Sequence, residues 1–217
     1  MKRPKACLFD LDGVLLDTEP LHGMIWNETA LELGVKLHEE ALISLKGKKR
    51  SDCIRQLSEW IPGKIDEKDL LKIHKKYSQE YLKDPPSMNG AKELIEWCYS
   101  NHIKMVLVTS SSSVSMKLKT KNYMWFKFIK NTVCGDDKSL TNGKPSPDPY
   151  LLAAKRINVD PSDCWAIEDS IAGSESAQRA GCIVWALNLR NTQVANQHKY
   201  INITGLNEFL DGLKKSS

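Results

Sequence analysis

The chain has 217 residues, 41% of them apolar, which is enough for one ordinary domain or a core with a modest insertion. Its net charge of +4 is spread without a basic stripe interleaved with aromatics, so nucleic acid is not an expected partner and an anionic small molecule suits it better. Six widely spaced cysteines with no CxxC pair argue against a disulfide framework or a zinc site and read as reduced packing residues. The amino terminus has no apolar signal-peptide segment, and no run of about eighteen apolar residues occurs. A cytoplasmic monomer without membrane contact is therefore expected.

The first predicted element is a short strand, Cys7, Leu8 and Phe9, which ends in two carboxylates, Asp10 and Asp12, before the turn-permissive Gly13. In an open α/β sheet the carboxyl end of a strand is where ligands bind, so both acids look into the crevice above the sheet. Unpaired, they would repel each other and resist desolvation; the site needs a metal, a lysine or both.

Helical periodicity then covers residues 20–34, with Ile25, Trp26, Ala30 and Leu33 at helical spacing, and three further stretches near 38–45, 51–61 and 66–82. Pro85-Pro86 closes them off. Residues 20–84 thus read as an all-helical, four-helix cap inserted after the first strand, with 1–19 and 85–217 as the core.

From residue 89 helices and strands alternate, which predicts an α/β, Rossmann-like three-layer core around a parallel sheet. A helix at 90–100 leads to a strand at 103–108 that ends in Thr109 and four serines, 110–113, before a polar helical stretch. A short strand near 132–134, a polar loop with Lys144-Pro145 and a helix at 148–157 follow. The strand at 164–167 ends in Glu168-Asp169-Ser170, and a helix at 172–180, strands at 183–187 and 200–203 and a helix at 206–213 complete the chain.

Three apolar strands therefore end in reactive polar groups: Asp10 and Asp12, then Thr109, then Glu168 and Asp169, with Lys144 in the loop before a helix. Acids at two strand ends make a hard oxygen site suited to Mg²⁺, and a phosphate substrate follows from that. The Thr109 hydroxyl, free backbone N–H groups at 110–113 and the Lys144 ammonium would hold its oxygens. Asp10 is then free to attack phosphorus.

DLDGVLLDTE, VTSS, GKPSPDPY and IEDSIAG, in that order and spanning nearly the whole chain, resemble the four motifs of the haloacid dehalogenase superfamily, in its β-phosphoglucomutase-like, CbbY-like branch. The resemblance implies that Asp10 is the nucleophile and Asp12 the general acid/base. It also implies that Mg²⁺ is held by Asp10, the main-chain carbonyl of Asp12 and Asp169, with Glu168 acting through water. Thr109, Ser110 and Lys144 would bind phosphate, and a cis Lys144-Pro145 peptide would aim the lysine.

In the cap, His22 of DTEPLH and the segment LKGKKR extend the likeness. By resemblance His22 assists the switch of Asp12 at the hinge and Arg50 grips a distal phosphate, with Lys46 a candidate alongside it. Two positions depart from the mutase pattern: Tyr77 stands where a phosphate-binding lysine is usual, and Ser113 where a substrate-contacting asparagine is usual. Weaker grip on a bisphosphate favours hydrolysis, so a Mg²⁺-dependent phosphatase of small sugar phosphates or related phosphometabolites is expected. A phosphomutase is the alternative. A non-catalytic phosphoryl switch or binding module is a third reading, but receiver-type switches are shorter, carry the acceptor on a later strand and lack the helical insert.

Overall fold

In a computed structural model, which describes residues 1–45, 50–63, 65–189 and 200–216, six parallel strands form one sheet in the order β3-β2-β1-β4-β5-β6. They are β1 (Ala6–Phe9), β2 (Lys104–Val108), β3 (Asn131–Val133), β4 (Cys164–Glu168), β5 (Ile183–Leu187) and β6 (Ile201–Ile203). All four residues of β1 are buried, and they alternate between two layers. Cys7 and Phe9 pack with α5 (Ala91–Ser100) and α9 (Leu206–Lys215), whereas Ala6 and Leu8 pack with α7 (Asp148–Arg156) and α8 (Ile171–Arg179). A strand covered on both faces has no polar side, which is why β1, β2 and β4 read as continuous apolar runs. The three-layer α/β core predicted from the sequence is the observed one.

Chain order reverses between β1 and β4: β2 and β3 lie on one side of β1, and β4, β5 and β6 on the other. Crevices at such a reversal are where ligands bind in this class of sheet. Backbone pairing runs one residue past each strand there, because the Asp10 N–H donates to the Ile167 carbonyl at 3.2 Å and the Thr109 N–H to Val133 at 2.9 Å. Residues 10 and 109 are thereby fixed at the carboxyl edge by main-chain bonds. Two 3₁₀ turns were not legible, Pro161–Asp163 and Met124–Phe128, the second of which seats Trp125 in the core with its ring stacked on Phe126 at 4.1 Å. Five residues are too few to show a period.

The chain divides into two compact units, Met1–Asp17 with Pro86–Ser217, and Thr18–Pro85. The second is helical: α1 (Glu19–Leu31), α2 (Glu39–Leu45), α3 (Arg50–Trp60) and α4 (Glu67–Tyr81). Its own core gathers Trp26, Ala30, Leu45, Ile54, Leu57 and Leu70, the inward residues of all four helices. Asp66 caps α4 by accepting the Lys68 N–H at 2.8 Å. Among the described residues no helix is long and apolar enough to cross a membrane.

Candidate active site

Asp10, one residue beyond β1, is 6% exposed. Lys144 reaches it from the loop before α7, donating at 2.6 Å to Oδ1, and the same ammonium donates to Glu168 Oε1 at 2.5 Å and to the Val108 carbonyl at 2.9 Å. Three donors thus bind three acceptors from the ends of β1, β2 and β4. The Lys144-Pro145 peptide is cis. Burial opposes the charge on Lys144, but Asp10 and Glu168 outweigh it and raise its pKa, so it stays an ammonium. Burial pushes the Asp10 carboxyl well up; Lys144 opposes this, while Glu168, Asp169 and Asp12 add to it.

Glu168 ends β4 and is fully buried. Besides Lys144 it accepts the Tyr150 hydroxyl at 2.5 Å on Oε1 and the Ser170 hydroxyl at 3.2 Å on Oε2. Ser170 also caps α8 by accepting the Gly173 N–H at 3.1 Å. Gly173 is the residue this packing requires, since a Cβ there would stand 2.0 Å from Glu168 Oε2. The sequence reading has Glu168 acting through water at a metal; its three donors make it the anchor that ties β4 to Lys144 and α7.

Asp12 sits in the turn after β1. A tight loop forms there because the Gly13 N–H donates to the Leu16 carbonyl at 2.8 Å, with Gly13 at φ 80°. Both oxygens of Asp12 are engaged: Oδ1 accepts from Lys119 Nζ at 2.6 Å and Oδ2 from the Ser111 hydroxyl at 2.9 Å. Neither Lys119 nor Ser111 was picked out from the sequence. Asp169 packs on Gly13 so closely that a Cβ at 13 would lie 2.0 Å from its Oδ2.

Thr109 is buried, and its Oγ1 accepts the Ser111 N–H at 3.0 Å. Ser113 gives both its N–H (2.7 Å) and its hydroxyl (3.0 Å) to Asp136. The expectation of free N–H groups across 110–113 therefore needs correcting: those of Ser111 and Ser113 have partners, because Thr109 and Asp136 are acceptors within reach of α6 (Ser113–Thr120). Ser110 is exposed, and its carbonyl is crowded by Gly135, where a Cβ would lie 2.3 Å away.

In the helical unit the structure brings His22 and Arg50 near one buried group, His74. Burial depresses the His74 pKa to about 3, and the charges of Arg50 and His22 add to the shift. Its ring lies 4.0 Å from that of Trp26. Lys76, next to Tyr77, pairs with Glu32 at 2.6 Å and lies over the Tyr77 ring. Lys46 and the rest of the lysine run to residue 49 lie outside the described residues.

Carboxylate oxygens of Asp10, Glu168 and Asp169 lie within 4.8 Å of one another. Lys144 pairs with Asp10 and Glu168 and Lys119 with Asp12, and the three clustered carboxylates are a donor set that fits a divalent cation. Hard oxygen donors of this kind suit a hard divalent cation.

A family model for haloacid dehalogenase-like hydrolases matches residues 7–187. A Drosophila melanogaster protein named as a probable pseudouridine-5′-phosphatase is 29% identical over 214 residues, covering 96% of this chain and 93% of that one. A phosphorylated carbohydrates phosphatase of Thermotoga maritima is 33% identical over 181 residues, 82% of each chain. Among solved structures, a candidate β-phosphoglucomutase from Thermotoga maritima superposes with a TM-score of 0.85 at 27% identity over 99% of both chains. Carboxylates and a threonine at the carboxyl ends of three neighbouring strands, met by a loop lysine, on a fold that matches a solved structure over 99% of the chain, place the chain in the haloacid dehalogenase-like hydrolase family, as a phosphoric monoester hydrolase of the β-phosphoglucomutase-like branch.

Proposed function

We propose that the protein is a Mg²⁺-dependent phosphatase of small sugar phosphates and related phosphometabolites, acting through an aspartyl phosphate on Asp10. The observation that carries this reading is a pair of aspartates at one strand end with different surroundings: Asp10 buried against Lys144, Asp12 a quarter exposed and held by Lys119. Unlike environments for two acids are how one site separates nucleophile from proton carrier.

In the first half of the reaction a carboxylate oxygen of Asp10 bonds to phosphorus while the bond from phosphorus to the ester oxygen breaks. Asp12 gives its proton to that departing oxygen. In the second half a water oxygen bonds to phosphorus and the bond to Asp10 breaks, while Asp12 takes the water's proton. Both aspartates return to their starting states, and inorganic phosphate leaves. The Thr109 hydroxyl and the backbone at Ser110 bind the phosphoryl oxygens, and Lys144 keeps Asp10 oriented and offsets its charge. Asp10, the Asp12 carbonyl and Asp169 would hold the divalent cation, which when bound neutralises charge on the phosphoryl group. His22 and Arg50 are the proposed substrate residues of the helical unit.

The test is a panel of phosphorylated sugars, polyol phosphates and nucleoside 5′-phosphates, pseudouridine 5′-phosphate included, with free phosphate and isomerised product both measured. Phosphate release that needs added Mg²⁺ and stops with a chelator is expected. Conversion of β-glucose 1-phosphate to glucose 6-phosphate with little phosphate released would overturn the phosphatase reading in favour of a mutase.

A further inference from the structure

We propose that Lys119 and Ser111 form a clamp that positions Asp12 for proton transfer, and that the clamp governs how well the enzyme expels a poor leaving group. The proposal rests on the reading of Asp12 as the general acid/base.

Helix α6 leaves Val114 74% exposed and Lys117 exposed as well, while Met116 packs against the core. Lys119, two residues from Lys117, is instead 1% exposed. An ammonium can swing to water on a four-carbon stem, so its burial signals a partner that repays desolvation. That partner is Asp12, 107 positions away in sequence and 2.6 Å away in space, with the Ser111 hydroxyl at 3.1 Å from the same nitrogen. Ser111 closes the triangle by donating to the second oxygen of Asp12, and its N–H is bound to Thr109 Oγ1 at the end of β2.

The consequence is geometric. A carboxylate held by one donor can rotate about its last bond, whereas one held at both oxygens presents a fixed face. Asp12 keeps a quarter of its side chain open while the Lys119 side chain behind it is sealed at 2%. Lys119 therefore cannot touch a substrate and acts only through Asp12: it is a positioning residue. Placement within a fraction of an ångström matters to proton transfer, and most to an ester whose leaving oxygen needs the proton. An aryl phosphate with an acidic leaving group needs it little.

The experiment compares kcat/KM for p-nitrophenyl phosphate and for an alkyl phosphate, glycerol phosphate, in the Mg²⁺-loaded full chain and in Lys119→Met, Ser111→Ala and Asp12→Asn. The ratio of the two is independent of the fraction of enzyme that is folded. Lys119→Met is expected to depress the alkyl ester about tenfold or more beyond the aryl ester, Ser111→Ala to do so in the same direction by less, and Asp12→Asn to do so most. An unchanged ratio in Lys119→Met, with Asp12→Asn shifted, overturns the clamp and leaves the acid/base reading standing. An unchanged ratio in Asp12→Asn overturns both. Should Lys119→Met show no cooperative melt, Ser111→Ala decides: a shifted ratio supports the clamp and a wild-type ratio overturns it.

Discussion

Two buried carboxylates share one ammonium at Lys144, an arrangement that is costly to break from the lysine side. Lys144→Met would leave Asp10 and Glu168 buried without their common cation. It should lower stability by about 3–5 kcal/mol, as for other one-sided losses of a buried pair, and abolish most turnover. Urea unfolding of the metal-free protein reads the first effect, and a variant as stable as wild type would contradict the shared-cation account. Tyr150→Phe removes one donor from a fully buried carboxylate, and about 1.5–3 kcal/mol should be lost. The acids were legible because each follows an apolar run that must be a buried strand. Lys119 was not: it lies in SVSMKLKT between Lys117 and Lys121, and alternating lysines on a polar helix look solvated. Ser111 was hidden inside four identical residues, and Tyr150 inside a motif whose lysine drew the attention. The one available signal was electrostatic, since two acidic strand ends call for more than one cation.

Helices show the same division between what periodicity reveals and what packing decides. The four helices of the second unit were readable from apolar spacing, and their observed bounds differ from the expected ones by at most one residue, except that α1 ends three residues early, at Leu31. At α8 the determining feature is a missing side chain. Gly173→Ala would drive a methyl into the Glu168 carboxylate, so activity should fall steeply together with the melting temperature, whereas Gly23→Ala, with open space around its Cβ position, should be mild by comparison. Equal effects would argue against the Gly173 packing. At α4 the depressed pKa of His74, about 3 against an ordinary 6.5, has a definite sign. The unfolded chain binds a proton below about pH 6.5 while the folded unit refuses it. Its contribution is thus fully present above the unfolded pKa and is lost as pH falls, by about 1.4 kcal/mol per pH unit in that window. His74→Phe keeps a ring against Trp26 and should remove this slope. Denaturation at about pH 7 and about pH 5 should then show wild type losing roughly 2 kcal/mol more than the variant, and identical losses would contradict the assignment.

Across the whole molecule, strands buried on both faces and helices grouped into a separate unit account for most of what could be read from sequence. The fold class follows from alternation alone. What could not be read is tertiary: which lysine turns inward, and where an aromatic 3₁₀ turn fills a gap. The cysteines offer a check at this scale. All six are buried, and burial raises the thiol pKa of Cys164 to about 12. The native protein should react slowly with a thiol reagent, and the denatured protein should titrate all six. Fast labelling of the native protein would mean a looser core than the one described. The central claim is that phosphate passes through Asp10, and acid quenching during turnover with Mg²⁺, followed by peptide mapping, tests it most directly. The account predicts an acid-stable, base-labile phosphate on the peptide that contains Asp10, absent from Asp10→Asn along with turnover. Phosphate on a serine peptide, or normal turnover in Asp10→Asn, would contradict it.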